Sequence, residues 1–423
     1  FVNTATTSNN ETVRGYLAVQ PVDFSAKNVK ATLYTATGSY EAPVTSRVVN
    51  KGRAACLRFS DDFTPVNIEF ADAEVKRICV EHWDTNGDGE LSYKEAAAVT
   101  DLGDAFRASL KHPNVIITSF NELQYFKGLS TICDMAFQYF NSLSSIILPE
   151  GITRIGEDVL MGCSCLTSVI IPDSITSIGI GSFRKCSGLT SVAIPDGVTL
   201  IGSYAFNDCT SLTSIVIPDS VSNISVSFNG CSSLSLFQGK FASEDGKCLI
   251  NNDGRLIAFA PYNLTSYTIP DNVTTIGAGA FFDCSGLTSI VIPDSVTTIG
   301  SSAFHGCSNL SSIVIPDSVS TIASYAFYGC SNLSSIVIPD SVTTIGSLAF
   351  YECSSLTSIT IESPNPFSID SHAFSNTNNC PIYVPNQSVE AYKTASGWSK
   401  YADRIFGIDV DGSVVGPDPQ NPD

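Results

Sequence analysis

The chain has 423 residues and a formal net charge of −19, with 43% hydrophobic and 15% charged residues. This negative charge disfavours nucleic acid or an anionic membrane as a partner, and the apolar content is too high for a disordered chain. No apolar run reaches the roughly 18 residues that a membrane-spanning helix needs. The first residue is Phe1 rather than Met, which fits an exported chain whose signal peptide has been removed, or a shortened chain.

Residues 1–65 show alternating apolar and polar side chains in three short segments, at 15–20, 29–34 and 54–59. Gly, Ser and Pro separate these segments, a pattern that is typical of strands joined by turns. We therefore predict a small β-sandwich-like domain, with a small barrel as the alternative.

Residues 66–105 change to a helical pattern, in which Val75, Ile78, Cys79 and Trp83 share one face. The stretch that follows, residues 84–95, reads DTNGDGELSYKE, and a second helical run comes after it. These features predict a helix-loop-helix segment.

The loop matches the pattern D-x-[DN]-x-[DN]-G-x5-E and resembles a single EF-hand-like calcium loop. That spacing supplies six oxygen ligands, and the resemblance assigns them to Asp84, Asn86, Asp88, Glu90 (through its carbonyl), Ser92 and Glu95. No second loop is visible, so we predict one structural calcium ion and no paired calcium sensor. The alternative is a surface turn that binds no metal.

A 23-residue repeat occupies about residues 115–406, roughly two-thirds of the chain. Three successive copies read CSGLTSIVIPDSVTTIGSSAFHG, CSNLSSIVIPDSVSTIASYAFYG and CSNLSSIVIPDSVTTIGSLAFYE. In each copy Leu-x-x-Ile-x-Ile predicts a short strand, Pro ends it, Asp-Ser forms a turn, and Val-Thr-Thr-Ile predicts a second short strand. One coil buries too little to fold alone, so the pattern predicts a stack of about 11–12 coils.

The repeat Leu-x-x-Ile-x-Ile-Pro-x-x-Val-x-x-Ile-Gly-x-x-Ala-Phe-x-x-Cys resembles the BspA-type leucine-rich repeat of surface proteins of anaerobic bacteria. The resemblance implies an α/β leucine-rich-repeat solenoid, right-handed and with short parallel strands, over residues 106–406. It also implies export to the cell surface or the extracellular space. Several members of that family act as adhesins or bind host proteins.

Two segments depart from the repeat. Asp-Gly occurs twice between apolar runs near residues 238–262, which predicts a β-hairpin insertion budding from the stack. After the last repeat, aromatic residues in a short helical pattern predict a C-terminal cap, and residues 407–423 read as a flexible tail.

Eight of the 14 cysteines fill one repeat position, where Phe140 stands in the first coil. A position that accepts Phe needs apolar volume rather than sulfur, so we predict free, stacked thiols there and no bridges. The remaining cysteines stay undecided.

The sequence shows no catalytic constellation, so we predict a non-catalytic protein. Cys79 and His82 could form half a zinc site, but without a second half the helix surface is the better interpretation. In each Ile-x-Ile strand the middle side chain should point outward, forming an apolar row that could bind a host or matrix protein or a glycan. We assign this role to Ile147, Ile170, Val216, Val291, Val314 and Val337. The alternative is a structural spacer or coat protein that displays the N-terminal domain.

Overall fold

The computed structural model describes the backbone of residues 2–6, 12–16, 30–35, 38–43 and 64–65, and all of residues 67–107, 116–409 and 413–415. Within these residues the repeats build a parallel-strand solenoid of about 13 turns with coils of about 23 residues. The additional turns come from Phe120 and Ile405, which pair into the stack opposite Ile146 and Ile382. Phe120 precedes the repeat pattern and Ile405 follows it, so the sequence indicated them only as apolar residues near the two ends of the stack.

The first face of each coil is a short strand of the main sheet. Ser168–Ile170 is typical, with Val169 buried between two exposed neighbours. The strands of this sheet are Ser119–Phe120, Ser145–Ile146, Ser168–Ile170, Ser191–Ala193, Ser214–Ile217, Leu236–Gly239, Ser266–Thr268, Ser289–Val291, Ser312–Ile313, Ser335–Ile338, Ser358–Ile361, Ile382–Pro385 and Ile405–Ile408.

The second face begins after a proline turn, in which the Pro293 carbonyl accepts a 3.0 Å hydrogen bond from the Val296 N–H. Parallel pairing such as Thr298 with Thr321 then forms a second sheet. Its coil strands are Thr131–Ile132, Arg154–Ile155, Ser177–Ile178, Leu200–Ile201, Asn223–Ile224, Arg255–Phe259, Thr275–Ile276, Thr298–Ile299, Thr321–Ile322, Thr344–Ile345 and Ser368–Ile369.

The third face, which we call the turn side, carries the Ala-Phe pair and the repeat cysteine. Alternate N–H groups here bond to the next coil, for example Phe304 N–H to the Ala326 carbonyl at 2.7 Å. Every cysteine of the described residues is free, as predicted for the repeat position. The Cys330 thiol donates to the Phe304 carbonyl at 3.2 Å. Cys56 lies outside the described residues.

The N-terminal strands are Val2–Thr6 and Thr12–Tyr16, which form one antiparallel pair, and Lys30–Thr35, Gly38–Pro43 and Thr64–Pro65, which form an antiparallel sheet. The predicted segment 29–34 nearly coincides with one of these strands, whereas the segment 54–59 lies outside the described residues. The β-sandwich therefore stays a prediction.

Two helices, α1 (Ala73–Trp83) and α2 (Tyr93–Ala98), flank the loop at residues 84–92. His82 is exposed on α1 and its ring Nδ1 lies 2.9 Å from the Ile78 carbonyl, which supports the helix-surface interpretation. The buried residues of this segment belong to the same hydrophobic core as the first solenoid coils. A 3₁₀ helix at Asn121–Tyr125 follows within the first coil.

The insertion is part of the stack rather than a projection from it. Strand Cys248–Ile250 pairs antiparallel with Arg255–Phe259, which in turn pairs with Thr275–Ile276 of the second sheet. Its side chains alternate between two cores: Leu249 belongs to the N-terminal core and Leu256 to the C-terminal core. We call this junction the seam. It divides the solenoid into two halves.

The C-terminal end is covered by 3₁₀ helix Asn386–Ser388, helix α3 (Val389–Thr394) and 3₁₀ helix Ser399–Arg404. Trp398 is fully buried and donates its ring N–H to the Phe367 carbonyl at 2.8 Å. Residues 407 and 408 do not belong to a tail, contrary to the prediction, because Gly407 and Ile408 pair antiparallel with strand Val414–Val415. This pairing covers the exposed edge of the last main-sheet strand. Residues 416–423 lie outside the described residues.

Candidate functional site

The loop at residues 84–92 is held by its own short side chains. Asp84 accepts the N–H groups of Gly87 at 2.7 Å and Gly89 at 2.9 Å, while Asp88 accepts the Glu90 N–H at 2.8 Å. Both glycines have a positive φ, +75° and +78°, so an L side chain at either position would strain the turn. The Glu90 side chain forms a 2.6 Å ion pair with Lys76. The backbone carbonyl of Glu90 therefore remains available as a ligand of the loop.

Glu95 closes the loop from the first turn of α2. Its carboxylate accepts hydrogen bonds from the Thr85 and Ser92 N–H groups, both at 2.9 Å, and from both hydroxyl groups. Burial alone would raise the pKa of Glu95, but the bonds from Ser92 and Thr85 outweigh it and lower the pKa to about 2. Glu95 is therefore a carboxylate under all ordinary conditions.

The donor set suits a hard cation, because every predicted ligand atom is an oxygen. Within the described part of the chain, however, no three acidic, His or Cys side chains converge closely enough to hold a metal ion. Asp84, Asp88 and Glu95 instead accept protein N–H and O–H groups, although each carboxylate retains free lone pairs. The residues fit calcium by chemistry, and a bound ion would compete with the bonds from Thr85 and Ser92 for Glu95.

Leu91 of the loop pairs in β fashion with the segment before α1 rather than with a second loop. Its carbonyl accepts the Ile68 N–H at 2.8 Å, and Asn67 bridges to Ser92 antiparallel. Leu91 is fully buried and Ile68 nearly so. The chain just before α1 therefore takes the place that another strand would fill.

Two buried acids join α1 to the first solenoid coil. Asp72 caps α1 by accepting the Glu74 N–H at 2.9 Å, and its other oxygen accepts the Thr118 N–H at 2.7 Å. Glu122 accepts the Ala71 N–H at 3.0 Å. The helix-loop-helix segment thus forms the N-terminal cap of the solenoid.

The outward row of the main sheet is the second predicted site. Val314 is 79% exposed and Ile170 is 74% exposed, while Ile147 is half-buried. Three further predicted residues also point to solvent, namely Val216, Val291 and Val337.

This row is interrupted at the seam. Gln238 and Thr268 occupy the outward positions there and are both exposed. The main sheet therefore presents two apolar patches, one on each half.

A third feature on the turn side was not assigned a role from the sequence. The residues that follow the core phenylalanines of the C-terminal half form a column of stacked rings: Phe282, His305, Tyr328 and Tyr351. Successive ring centroids lie 4.6, 4.7 and 5.1 Å apart. The signal was present in the repeat, because this variable position carries an aromatic residue in four successive copies.

Comparison with known families gives one match. The family described as BspA type Leucine rich repeat region (6 copies) matches residues 117–235 and 256–381. The gap between these ranges coincides with the insertion at the seam. No curated protein sequence matches the chain.

Two solved structures share the fold. A leucine-rich cell surface protein from Faecalibacterium prausnitzii is 23% identical, with a TM-score of 0.56 over 89% of this chain and 98% of that one. The pneumococcal vaccine antigen PcpA is 18% identical, with a TM-score of 0.57 over 90% of this chain and 97% of that one. At these identities the similarity establishes the fold alone. Within the described residues, no helix is long and apolar enough to cross a membrane.

Proposed function

The chain belongs to the BspA-type leucine-rich-repeat family, and from this premise we propose that it is an exported, non-catalytic surface protein whose solenoid binds a partner. The site we propose is the outward row of the main sheet. The partner is a host or matrix protein or a glycan.

The exposure of this row carries the proposal. Val291, Val314 and Val337 stand on successive coils of the C-terminal half and are each at least 48% exposed. Hydroxyl residues surround them, so that the patch is apolar and uncharged. Soluble proteins rarely leave contiguous apolar surface uncovered without a binding role.

The test is to replace Val291, Val314 and Val337 together by Glu. The matched control replaces Asn309, Asn332 and Ser355 by Glu, which adds the same charge at exposed positions of neighbouring coils outside the main sheet. We expect the first variant to lose adhesion to immobilised matrix proteins, cells or glycan arrays, and the control to retain it. Equal adhesion of the folded valine variant and the wild type would exclude this face.

A structural spacer is the second candidate function, because valine also suits an exposed strand position and duplication of repeats copies it without selection. In that case the wild-type repeat domain binds none of the matrix proteins or glycans. The same screen therefore separates the two functions.

We further propose that the loop holds one structural calcium ion through Asp84, Asn86, Asp88, the Glu90 carbonyl, Ser92 and Glu95. Because the loop belongs to the N-terminal cap, the ion would stabilise the joint between α1, α2 and the first coil. Isothermal titration of metal-free protein tests this, with Glu95→Gln as the weakened variant and Glu362→Gln as the control. No heat of binding at millimolar calcium would refute the site.

A further inference from the structure

The seam leaves a cavity of about 230 Å³ on the turn side of the solenoid. One wall is the coil turn at residues 228–232, and the other is the turn at residues 279–284. Ala258, Phe259 and Pro261 of the insertion form its floor. The cavity exists because the insertion supplies a strand to the second sheet but no Ala-Phe turn, so two turns that belong to different halves face each other.

The two walls lack the hydrogen bonds that join other coils. Elsewhere a turn N–H bonds to the carbonyl of the next coil, as Phe281 does to Ala303 at 2.8 Å. Within the described residues, the Phe228 N–H and the Ala280 carbonyl make no such bond across the seam. Backbone polar groups that lose their partner are satisfied by water or by a ligand.

An aromatic ring is turned toward this cavity. Phe282 is the first ring of the outer column, and His305 covers one of its faces at 4.6 Å with an interplanar angle of 7°. On the other side the neighbouring turn carries Asn229 at the equivalent position, and Phe282 lines the cavity there. Among the described residues, His305 is the only ring that packs on Phe282, so no second ring covers its other face.

Side chains of mixed polarity complete the walls. The side-chain amide of Asn229 lies against Gly279, so that a side chain at position 279 would require it to move. The Asn229 backbone N–H bonds to the Asn207 side-chain oxygen at 3.2 Å. Asp208, Thr210 and Ser232 add a carboxylate and two hydroxyl groups. The cavity thus offers hydrogen-bond donors and acceptors together with one aromatic face.

We propose that this cavity binds one neutral pyranose ring of a glycan. A sugar ring carries an apolar C–H face for Phe282 and hydroxyl groups that both donate and accept. An apolar side chain would leave the polar groups without partners, and a guanidinium would leave the Phe228 N–H and the Asn229 amide without acceptors. The volume is below the range of about 300–1,000 Å³ that encloses drug-sized ligands, so the site takes a single ring.

Charge narrows the ligand class. Asp208 and Asp283 both line the cavity, and the whole chain has a net charge of −19. Uronic and sialic acids would therefore be repelled, and neutral hexoses are preferred. This site lies on the turn side, away from the main-sheet row, so it does not depend on the proposed sheet-face function.

The experiment titrates the full chain with methyl α-mannopyranoside, methyl β-glucopyranoside and methyl β-galactopyranoside by saturation-transfer NMR. Phe282→Ser removes the stacking face at a position where Ser375 occurs naturally in the last coil. Tyr351→Ser is the matched control, because it makes the same kind of change at the far end of the ring column. Asn229→Ala is a second variant that leaves the column intact.

We expect at least one glycoside to bind, with its Kd raised roughly tenfold or more by Phe282→Ser and by Asn229→Ala, and unchanged by Tyr351→Ser. The valine-to-glutamate variant of the main sheet should bind the same glycoside as the wild type does. Absence of glycoside binding, or equal binding by the wild type and both cavity variants, would overturn the proposal. So would binding of a capped Gly-Phe-Gly or Gly-Arg-Gly peptide in place of the sugars.

Discussion

The two halves of the solenoid have separate cores of the same kind but different surfaces. In the N-terminal half Phe183, Phe206 and Phe228 stack with centroids 5.3 and 5.6 Å apart. In the C-terminal half Phe281 and Phe304 stack at 5.1 Å, and the stack continues to Phe374. Stacked phenylalanines in the same register thus fill most of both interiors, with Leu160 at this position in one N-terminal coil.

The residue that follows this core position in each coil differs between the two halves. In the N-terminal half it is Gln138, Met161, Arg184, Asn207 or Asn229, whereas in the C-terminal half it is Phe282, His305, Tyr328 or Tyr351. A close-packed interior restricts this position to a large apolar side chain, Phe or Leu160, but an outward position is not constrained in this way. Adjacent residues of one coil therefore differ in constraint. The core position is fixed by packing, whereas the residue that follows it is free to acquire a function.

The largest expected effect comes from removing a buried ring from the core of either half. Phe304→Ala removes a fully buried ring between Phe281 and Phe327 and should cost about 3–5 kcal/mol of unfolding free energy. Phe206→Ala should cost a similar amount in the other half. Urea denaturation followed by circular dichroism measures both. The control, Tyr328→Ala on the outer column, should cost much less, and equal losses would contradict the distinction between the two positions.

The next effect should be confined to the N-terminal half. Asp72→Ala removes the cap of α1 and the two bonds to Thr118, and should cost about 1–3 kcal/mol. Hydrogen exchange should show faster opening of residues 68–107 and 116–126 and no change in residues 281–350. Asp101→Ala, an exposed acid in the same segment, is the control. Faster exchange in both halves would mean that the seam does not separate them.

Acid should also act on the loop of the N-terminal half. Glu95 has a pKa of about 2 against an ordinary value of 4.5, so its contribution to stability is complete above 4.5 and is lost as the pH falls toward 2. We expect exchange of residues 84–98 to rise over this range, and Glu95→Gln to flatten the dependence. A slope that Glu95→Gln leaves unchanged would assign the effect to other acids.

The smallest effect concerns the thiols and should be the same in both halves. Burial raises the pKa of Cys186 and of Cys231 to about 12 in the N-terminal half, and it also raises the pKa of Cys307 and of Cys330 in the C-terminal half. These thiols should therefore not react with a disulfide reagent in the folded protein. In a Cys56→Ala background only exposed Cys165 should react rapidly, followed more slowly by half-buried Cys133. Rapid reaction of further thiols in one half would show that this half opens.

Much of the fold could be predicted because the information is local. Alternation in Ser168–Ile170 and its copies sets which side chain enters the core, and the 23-residue period sets which residues stack. The cysteine position was recognisable as apolar because Phe140 replaces it. The loop ligands were identified by spacing, and calcium at that loop stays a prediction.

The sequence by itself determined the coil, the inward and outward rows and the free thiols, since each depends on neighbours one period away. The tertiary structure alone decided that Leu91 pairs with Ile68, that Phe120 and Ile405 add turns, and that Asn229 faces Gly279 across the seam. Each of these contacts joins two segments that are not consecutive copies of the 23-residue repeat. Such pairing depends on which backbone groups and apolar faces remain uncovered once the coils have stacked, and no local pattern encodes that.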